Sequence, residues 1–299
     1  MTVVVTGAAG FLGRHLVRAL AARGDDVVGI DRRPGIPAAA AGIVGDLNDG
    51  GPDVAGALVD ADAVFHLAAF PGVRASGPEA DVRRRMDNVE AARRVLDLVP
   101  LHVPLVVTSS SSVYGGSSNG TRCAESDLPR PRGAYANSKL DVERLCARRV
   151  SRGGHVAVAR PFTVAGEGQR PDMAIALWLD AAMAGRPLTI LGSGERSRDI
   201  TDVRDVVTGM VIMLDRGVRA TVNLGTGTGH RLRDVVAAVA DVVDRDVTTV
   251  PMPAGTEEPE ATLADTRRCE TLLGFVPHTD LNALIRRQAA GALTAGVGA

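Results

Sequence analysis

The stretch TGAAGFLG, Thr6 to Gly13, follows directly on the apolar run Val3–Val5. Gly7, Gly10 and Gly13 fall between a β-branched strand and an amphipathic helical pattern, FLGRHLVRALAARG, that starts at Phe11. In that context Gly7 takes the tight turn, Gly10 lets the backbone approach a pyrophosphate, and Gly13 lets the helix pack closely on its strand. The helix N-terminus offers unpaired N–H groups and partial positive charge to the phosphates. Asp31 ends the next strand, VVGID, and is placed to accept both hydroxyls of an adenosine ribose. A carboxylate there repels a ribose phosphate, so the expected cofactor is NAD. Arg32 and Arg33 follow directly, and an arginine at this point can pair with such a phosphate, which keeps NADP open.

On either side of this turn short apolar runs alternate with helical patterns: VVVT, DVVGID, AVFHLAA and VPLVVTSS as strands, DNVEAARRVLDLV as a further helix. A longer helix is expected from Tyr135 to Arg149, then a strand at HVAVARPF. Strands apolar on both faces and separated by helices imply a doubly wound parallel sheet, an α/β Rossmann domain over residues 1–165. Residues 166–299 carry helix (MAIALWLDAAMAG), short strands (PLTIL, TVNLGTG) and the polar segment PMPAGTEEPEATLAD. This pattern predicts a smaller mixed α/β substrate-binding lobe over the carboxyl edge of the sheet, with some segments returning to the first domain. The terminal GALTAGVGA is expected to fray.

Composition narrows the function. The 299 residues carry 34 basic and 35 acidic side chains, a net charge of −1, so no general attraction to nucleic acid or an anionic membrane is expected. Cys123, Cys146 and Cys269 are odd in number and widely spaced, which fits free thiols in a reducing cytoplasm, and no metal-ligand spacing joins them to the histidines. No signal-peptide pattern opens the sequence and no apolar run has the length of a membrane span.

A second motif, YANSK, puts Tyr135 and Lys139 one turn apart on the same helical face. A lysine ammonium beside a phenol stabilises phenolate, and such a pair can exchange a proton with a sugar hydroxyl while hydride moves to or from the same carbon. The serines of VVTSSSSVYG, at the end of the fourth strand, supply a hydroxyl donor near the same oxygen.

The motifs TGAAGFLG, GDL (Gly45–Leu47), HLAA (His66–Ala69), Asn88 in DNVEA, SSSSVYG, YANSK and RPFTVAGEGQRPDMA occur in an order that resembles the extended short-chain dehydrogenase/reductases. More narrowly, the chain is similar to the NAD-dependent nucleotide-sugar epimerase/dehydratase family, in particular to 4-epimerases of UDP-glucose and UDP-glucuronate. The resemblance implies that Tyr135 is the catalytic acid/base, that Lys139 tunes it and holds the nicotinamide ribose, and that Ser110 is the catalytic hydroxyl. It implies cofactor contacts from the glycine turn with Phe11 and Leu12, from Asp31 and Arg32, from Asp46 and Leu47 at adenine, and from Leu67, Ala68 and Ala69 along the channel. Asn88 would brace the site, and the turn Arg160–Thr163, with Pro161, would touch nicotinamide and substrate. Substrate contacts are implied for Ser110, Ser111, Tyr135 and Thr163, for Arg170 at a sugar carboxylate, for Ile190 in the strand beside the base, and for Arg198 at the diphosphate.

Arg198 has a second possible use, an ion pair with Asp199 or Asp202. Dehydratases of the family carry Asp and Glu where this chain has Ser111 and Ser112, which argues against 4,6-dehydration. TEEPEATLAD is acidic where the family has an arginine-bearing phosphate element; Thr163, Ala165 and Gly133–Ala134 also depart from its pattern. The expected activity is 4-epimerisation, with a 4-ketosugar reductase and a non-catalytic cofactor sensor as alternatives. The family resemblance also implies a homodimer built from the helix around Asn88 and the Tyr135 helix.

Overall fold

The computed structural model describes residues 1–72, 77–117, 120–255 and 257–296. Its centre is a seven-stranded parallel sheet formed by β1 (Thr2–Thr6), β2 (Asp26–Asp31), β3 (Ala41–Val44), β4 (Ala63–His66), β5 (Leu105–Thr108), β6 (Val156–Pro161) and β10 (Thr221–Leu224). The spatial order is β10-β6-β5-β4-β1-β2-β3, so the winding reverses between β1 and β4. Beyond the carboxyl ends of the strands at such a reversal lies the crevice where doubly wound sheets take ligands.

Both faces are covered, which is why the strands carry unbroken apolar runs. On one face α1 (Phe11–Ala22), α7 (Val203–Asp215) and α9 (Arg267–Leu273) bring Leu16, Leu20, Met210, Met213 and Leu273 into one core. On the other, α2 (Pro52–Val59), α4 (Ala91–Leu98) and α5 (Gly133–Ser151) bring Leu58, Val95 and Val142 into a second.

Chain from beyond residue 165 therefore builds part of the first unit: α7, β10 and α9 all belong to it. TVNLGTG, read in the sequence as part of the smaller lobe, supplies β10 on the edge of the main sheet. Its Val222 and Leu224 are fully buried there, paired with Ala159 and Pro161 of β6.

The lobe itself holds a third core, where α6 (Ala174–Met183), α8 (Leu232–Val243) and the start of α10 (Leu281–Gly296) enclose Trp178, Leu188, Val239 and Leu284. Two small sheets complete it: β7 (Thr163–Ala165) and β11 (Gly229–Arg231) flank β9 (Ser197–Asp202), and β8 (Leu188–Leu191) pairs with β12 (Thr249–Met252). The tail expected to fray begins inside α10, which continues to Gly296; residues 297–299 lie outside the described residues. No helix among the described residues is long and apolar enough to cross a membrane.

Candidate active site

The glycine turn is built by crowding. Gly7 has φ +73°, and a Cβ there would lie 2.7 Å from the Ala68 amide nitrogen; a Cβ on Gly13 would lie 2.1 Å from the Gly7 carbonyl oxygen. The turn is thus locked against both its own helix and the loop after β4. Asp31 is buried at the end of β2, where one carboxylate oxygen accepts the Ala9 N–H at 3.1 Å and the other the Arg33 N–H at 2.9 Å. This ties the acid to the turn. Arg32 faces other carboxylates, 2.6 Å from Asp87 and 4.0 Å from Asp46. Two acids already balance its charge.

One cleft of about 1490 Å³ runs from this turn to the lobe. That exceeds the span of a single small-ligand pocket, roughly 300–1,000 Å³, and has room for two ligands end to end. Gly7, Gly10, Phe11, Leu12, Gly13, Asp31, Arg32, Asp46, Leu47, Leu67, Ala68 and Ala69 line its first half. Ser110, Ser111, Tyr135, Lys139 and Pro161 line its middle, and Thr163, Arg170 and Arg198 its far end.

Three implied contacts fall elsewhere. Asn88 is buried behind the wall, in a π-helical turn (Arg85–Glu90) that follows α3 (Pro78–Arg84). There its side chain accepts the Phe70 N–H at 2.6 Å and donates to Ser138 Oγ at 2.9 Å, which in turn donates to the Tyr135 carbonyl at 2.7 Å. Ile190 points into the lobe core, and strand alternation gives the cleft position to Leu191 instead. Arg160, the first residue of the turn expected at nicotinamide, turns inward to Glu143 while Pro161, Phe162 and Thr163 line the cleft.

At the centre, the Ser110 hydroxyl hydrogen-bonds the Tyr135 side chain. Burial pushes the Tyr135 phenol upward; the Ser110 hydrogen bond and the Arg170 and Arg84 guanidinium charges pull it back without reversing the shift. Sequence reading gave that role to Lys139. In the structure the Lys139 ammonium donates at 2.9 Å to the Thr108 carbonyl, and burial draws its pKa down to about 8. Behind it, on β4, His66 lies 2.8 Å from Thr6 Oγ1, and burial reinforced by the Lys139 charge holds its pKa down at about 3. Lys139 is the only lysine in the chain; every other basic residue counted among the 34 is arginine.

At the far end Arg198 finds neither Asp199 nor Asp202. Asp199 is consumed by the amides of Thr226, Gly227 and Ala264, and Asp202 caps α7 by accepting the Arg204 N–H. The partner of Arg198 is Glu258, at 2.9 Å, from the acidic segment that departs from the family pattern. Arg170 is gripped by both oxygens of Asp172. Cys123, Cys146 and Cys269 are free and buried.

A doubly wound sheet with a glycine-turn crevice and a Ser-Tyr-Lys cluster at its midpoint defines a dinucleotide-dependent enzyme of the short-chain dehydrogenase/reductase class. Residues 3–225 match the NAD dependent epimerase/dehydratase family, and the chain belongs to it. It is 33% identical to the uncharacterized UDP-glucose epimerase YtcB of Bacillus subtilis (strain 168), covering 94% of both chains. Among solved structures it is similar to MoeE5 in complex with UDP-glucuronic acid and NAD, with 37% identity, a TM-score of 0.90, and 99% and 100% of the two chains covered. It also resembles the UDP-glucuronic acid 4-epimerase of Bacillus cereus in complex with UDP-glucuronic acid and NAD, at 30% identity and TM-score 0.91 over 99% and 100% of the chains.

Proposed function

We propose that the protein is an NAD-dependent 4-epimerase of UDP-hexoses, taking UDP-glucuronate or UDP-glucose, with Ser110, Tyr135 and Lys139 as its catalytic residues. The observation that carries this reading is the single cleft in which the glycine turn and Asp31 stand at one end, Arg170 and Arg198 at the other, and Ser110–Tyr135 between them.

The residues fit a dinucleotide. Gly7 and Gly13 pack too closely for a Cβ, which brings the turn and the start of α1 together where a pyrophosphate would sit, and the Ala9 N–H holds Asp31 beside them for ribose hydroxyls. The glycine turn, Asp31 and Lys139 would hold NAD, which would supply a reversible hydride acceptor for sugar C4. As phenolate, Tyr135 Oη takes the proton of the 4-hydroxyl as C4 is oxidised, becoming the phenol, and as phenol it gives the proton back on reduction; Ser110 Oγ fixes the same sugar oxygen. Lys139 keeps a positive charge beneath the site, and Asp31 disfavours a cofactor with a ribose phosphate.

Arg170 holds a carboxylate in paired hydrogen bonds within its own chain, the geometry a glucuronate carboxylate would use after displacing Asp172. Arg198 would take the diphosphate. The proposal extends to a cytoplasmic homodimer, supported by the free cysteines and by exposed Val82 and Met86 on the helices around Asn88.

The test is to identify the dinucleotide that the purified protein retains, then follow UDP-glucuronate, UDP-glucose and UDP-galactose by NMR. The expected result is interconversion at C4 with no net change in reduced cofactor, abolished in Tyr135→Phe by roughly 10²–10⁴-fold. Stoichiometric loss of NADPH with a ketosugar would make the enzyme a reductase instead.

A further inference from the structure

Behind the wall of the cleft lies a buried polar chain that the mechanism above leaves unused. Glu143 stands one helical turn after Lys139 on α5, on the same face. Its Oε1 accepts Ser109 Oγ at 2.5 Å and Arg160 Nε at 2.8 Å; its Oε2 accepts Arg160 Nη2 at 2.6 Å. Arg160 Nη1 donates at 2.8 Å to the Tyr114 hydroxyl, which donates at 2.7 Å to Asn223 on β10. The Arg160 and Glu143 side chains are only 5% and 10% exposed, so neither belongs to the surface.

Three members stand at or beside the cleft lining, Ser109 within it. Ser109 precedes Ser110, Arg160 precedes Pro161, and Glu143 shares its helix with Tyr135 and Lys139. A carboxylate that holds two strand ends and the catalytic helix by three hydrogen bonds fixes their relative heights. We propose that Glu143 is a positioning residue of this site, locking the Ser109–Ser110 and Arg160–Pro161 strand ends onto the Lys139 face of α5 and supplying the anion that keeps Lys139 charged. For its catalytic consequence this rests on the epimerase reading; for Lys139 it does not.

The electrostatic half follows from what surrounds the ammonium. The titratable groups facing Lys139 are Glu143 and Cys146 on its own helix and His66 on β4. Burial pushes the Cys146 thiol up to about 12 and holds His66 down at about 3, so both are neutral where Lys139 titrates. Glu143 is the charge left to offset the burial of Lys139. Burial lowers the Arg160 guanidinium, but Glu143 and Tyr114 together raise it by more, and its net shift is upward.

Because the chain has one lysine, protein labelled with ¹³Cε-lysine gives one side-chain resonance, whose titration reads Lys139 directly and without any substrate. In the protein without added substrate the wild-type midpoint is expected below the usual lysine range, because burial draws it down. Glu143→Gln should lower that midpoint by about one unit, because one anion near a buried base is worth a shift of that order. The alkaline limb of kcat should move with it, and kcat itself should fall roughly 10–100-fold with KM changed less than about threefold. An unmoved midpoint and wild-type kcat in folded Glu143→Gln overturns the proposal.

If that variant does not fold, Ser109→Ala decides. It keeps the ion pair and removes one link, so kcat should fall about 3–10-fold at an unchanged Lys139 midpoint; wild-type kcat overturns the positioning role. A wild-type protein that epimerises no UDP-hexose sinks the function proposed above, while the lysine titration still decides Glu143.

Discussion

His66 and Lys139 are two buried bases within reach of each other's field, and each is drawn down from its ordinary value by burial. Their consequences differ in sign of use. His66 is about 3 when folded and about 6.5 when unfolded, so below pH 6.5 the unfolded chain takes up a proton that the native state refuses. Stability should therefore be lost as pH falls from 6.5 toward 3, by about 3 kcal/mol at pH 4 from this group alone. Urea midpoints at pH 7 and pH 4 check this, and His66→Asn should flatten the dependence. Lys139, about 8 when folded, gives up its proton within the working range of an enzyme, so turnover is expected to decline above pH 8. A kcat profile still rising at pH 9 would detach Lys139 from catalysis.

At the scale of elements, the site depends on close approaches that sequence pattern foretells unevenly. The glycine turn was legible because no other residue type fits: a Cβ at Gly13 would lie 2.1 Å from the Gly7 carbonyl oxygen, inside any contact distance. Gly13→Ala should force α1 off its strand, costing about 1–3 kcal/mol by overpacking, and should strip bound NAD during gel filtration. Retention of stoichiometric NAD would show that the turn tolerates the shift. The Tyr135–Lys139 spacing was legible for a similar reason, since a helix leaves only one face for residues four apart.

Ile190 was misread because choosing between adjacent strand positions requires knowing which side of β8 faces the core, and periodicity over four residues does not say. The Glu143–Arg160 brace could have been suspected from the i,i+4 spacing to Lys139, but its other end, on β6, is brought near only by the folded sheet. Asn88 also illustrates this. Its helix identity was expected, whereas the π-helical turn that carries it behind the cleft wall leaves no signature in the spacing of apolar residues.

Across the whole molecule, cofactor and substrate ends are built by different parts of the chain, and a substitution should separate them. Arg198 belongs to β9 in the lobe, where it pairs with Glu258, whereas the glycine turn joins β1 to α1 of the main sheet. Arg198→Ala should leave NAD content intact and raise KM for a UDP-sugar by about 10–100-fold, the loss of a charge-assisted contact of about 1.5–3 kcal/mol. Equal loss of NAD and substrate would mean that the two ends are coupled through the lobe. A return of later segments to the main sheet was expected, but which ones return, α7, β10 and α9, was not legible, because an apolar helix face or a short apolar strand fits either core.

The solitary lysine has a further use. A lysine-specific endoprotease has one peptide bond to cut in this chain, after residue 139, and the native fold buries it in the middle of α5. Cleavage into two fragments can proceed only when that helix opens, so its rate under native conditions measures how often the catalytic helix leaves the sheet. The protein thus carries its own single-site reporter of local unfolding at the place where its chemistry is built.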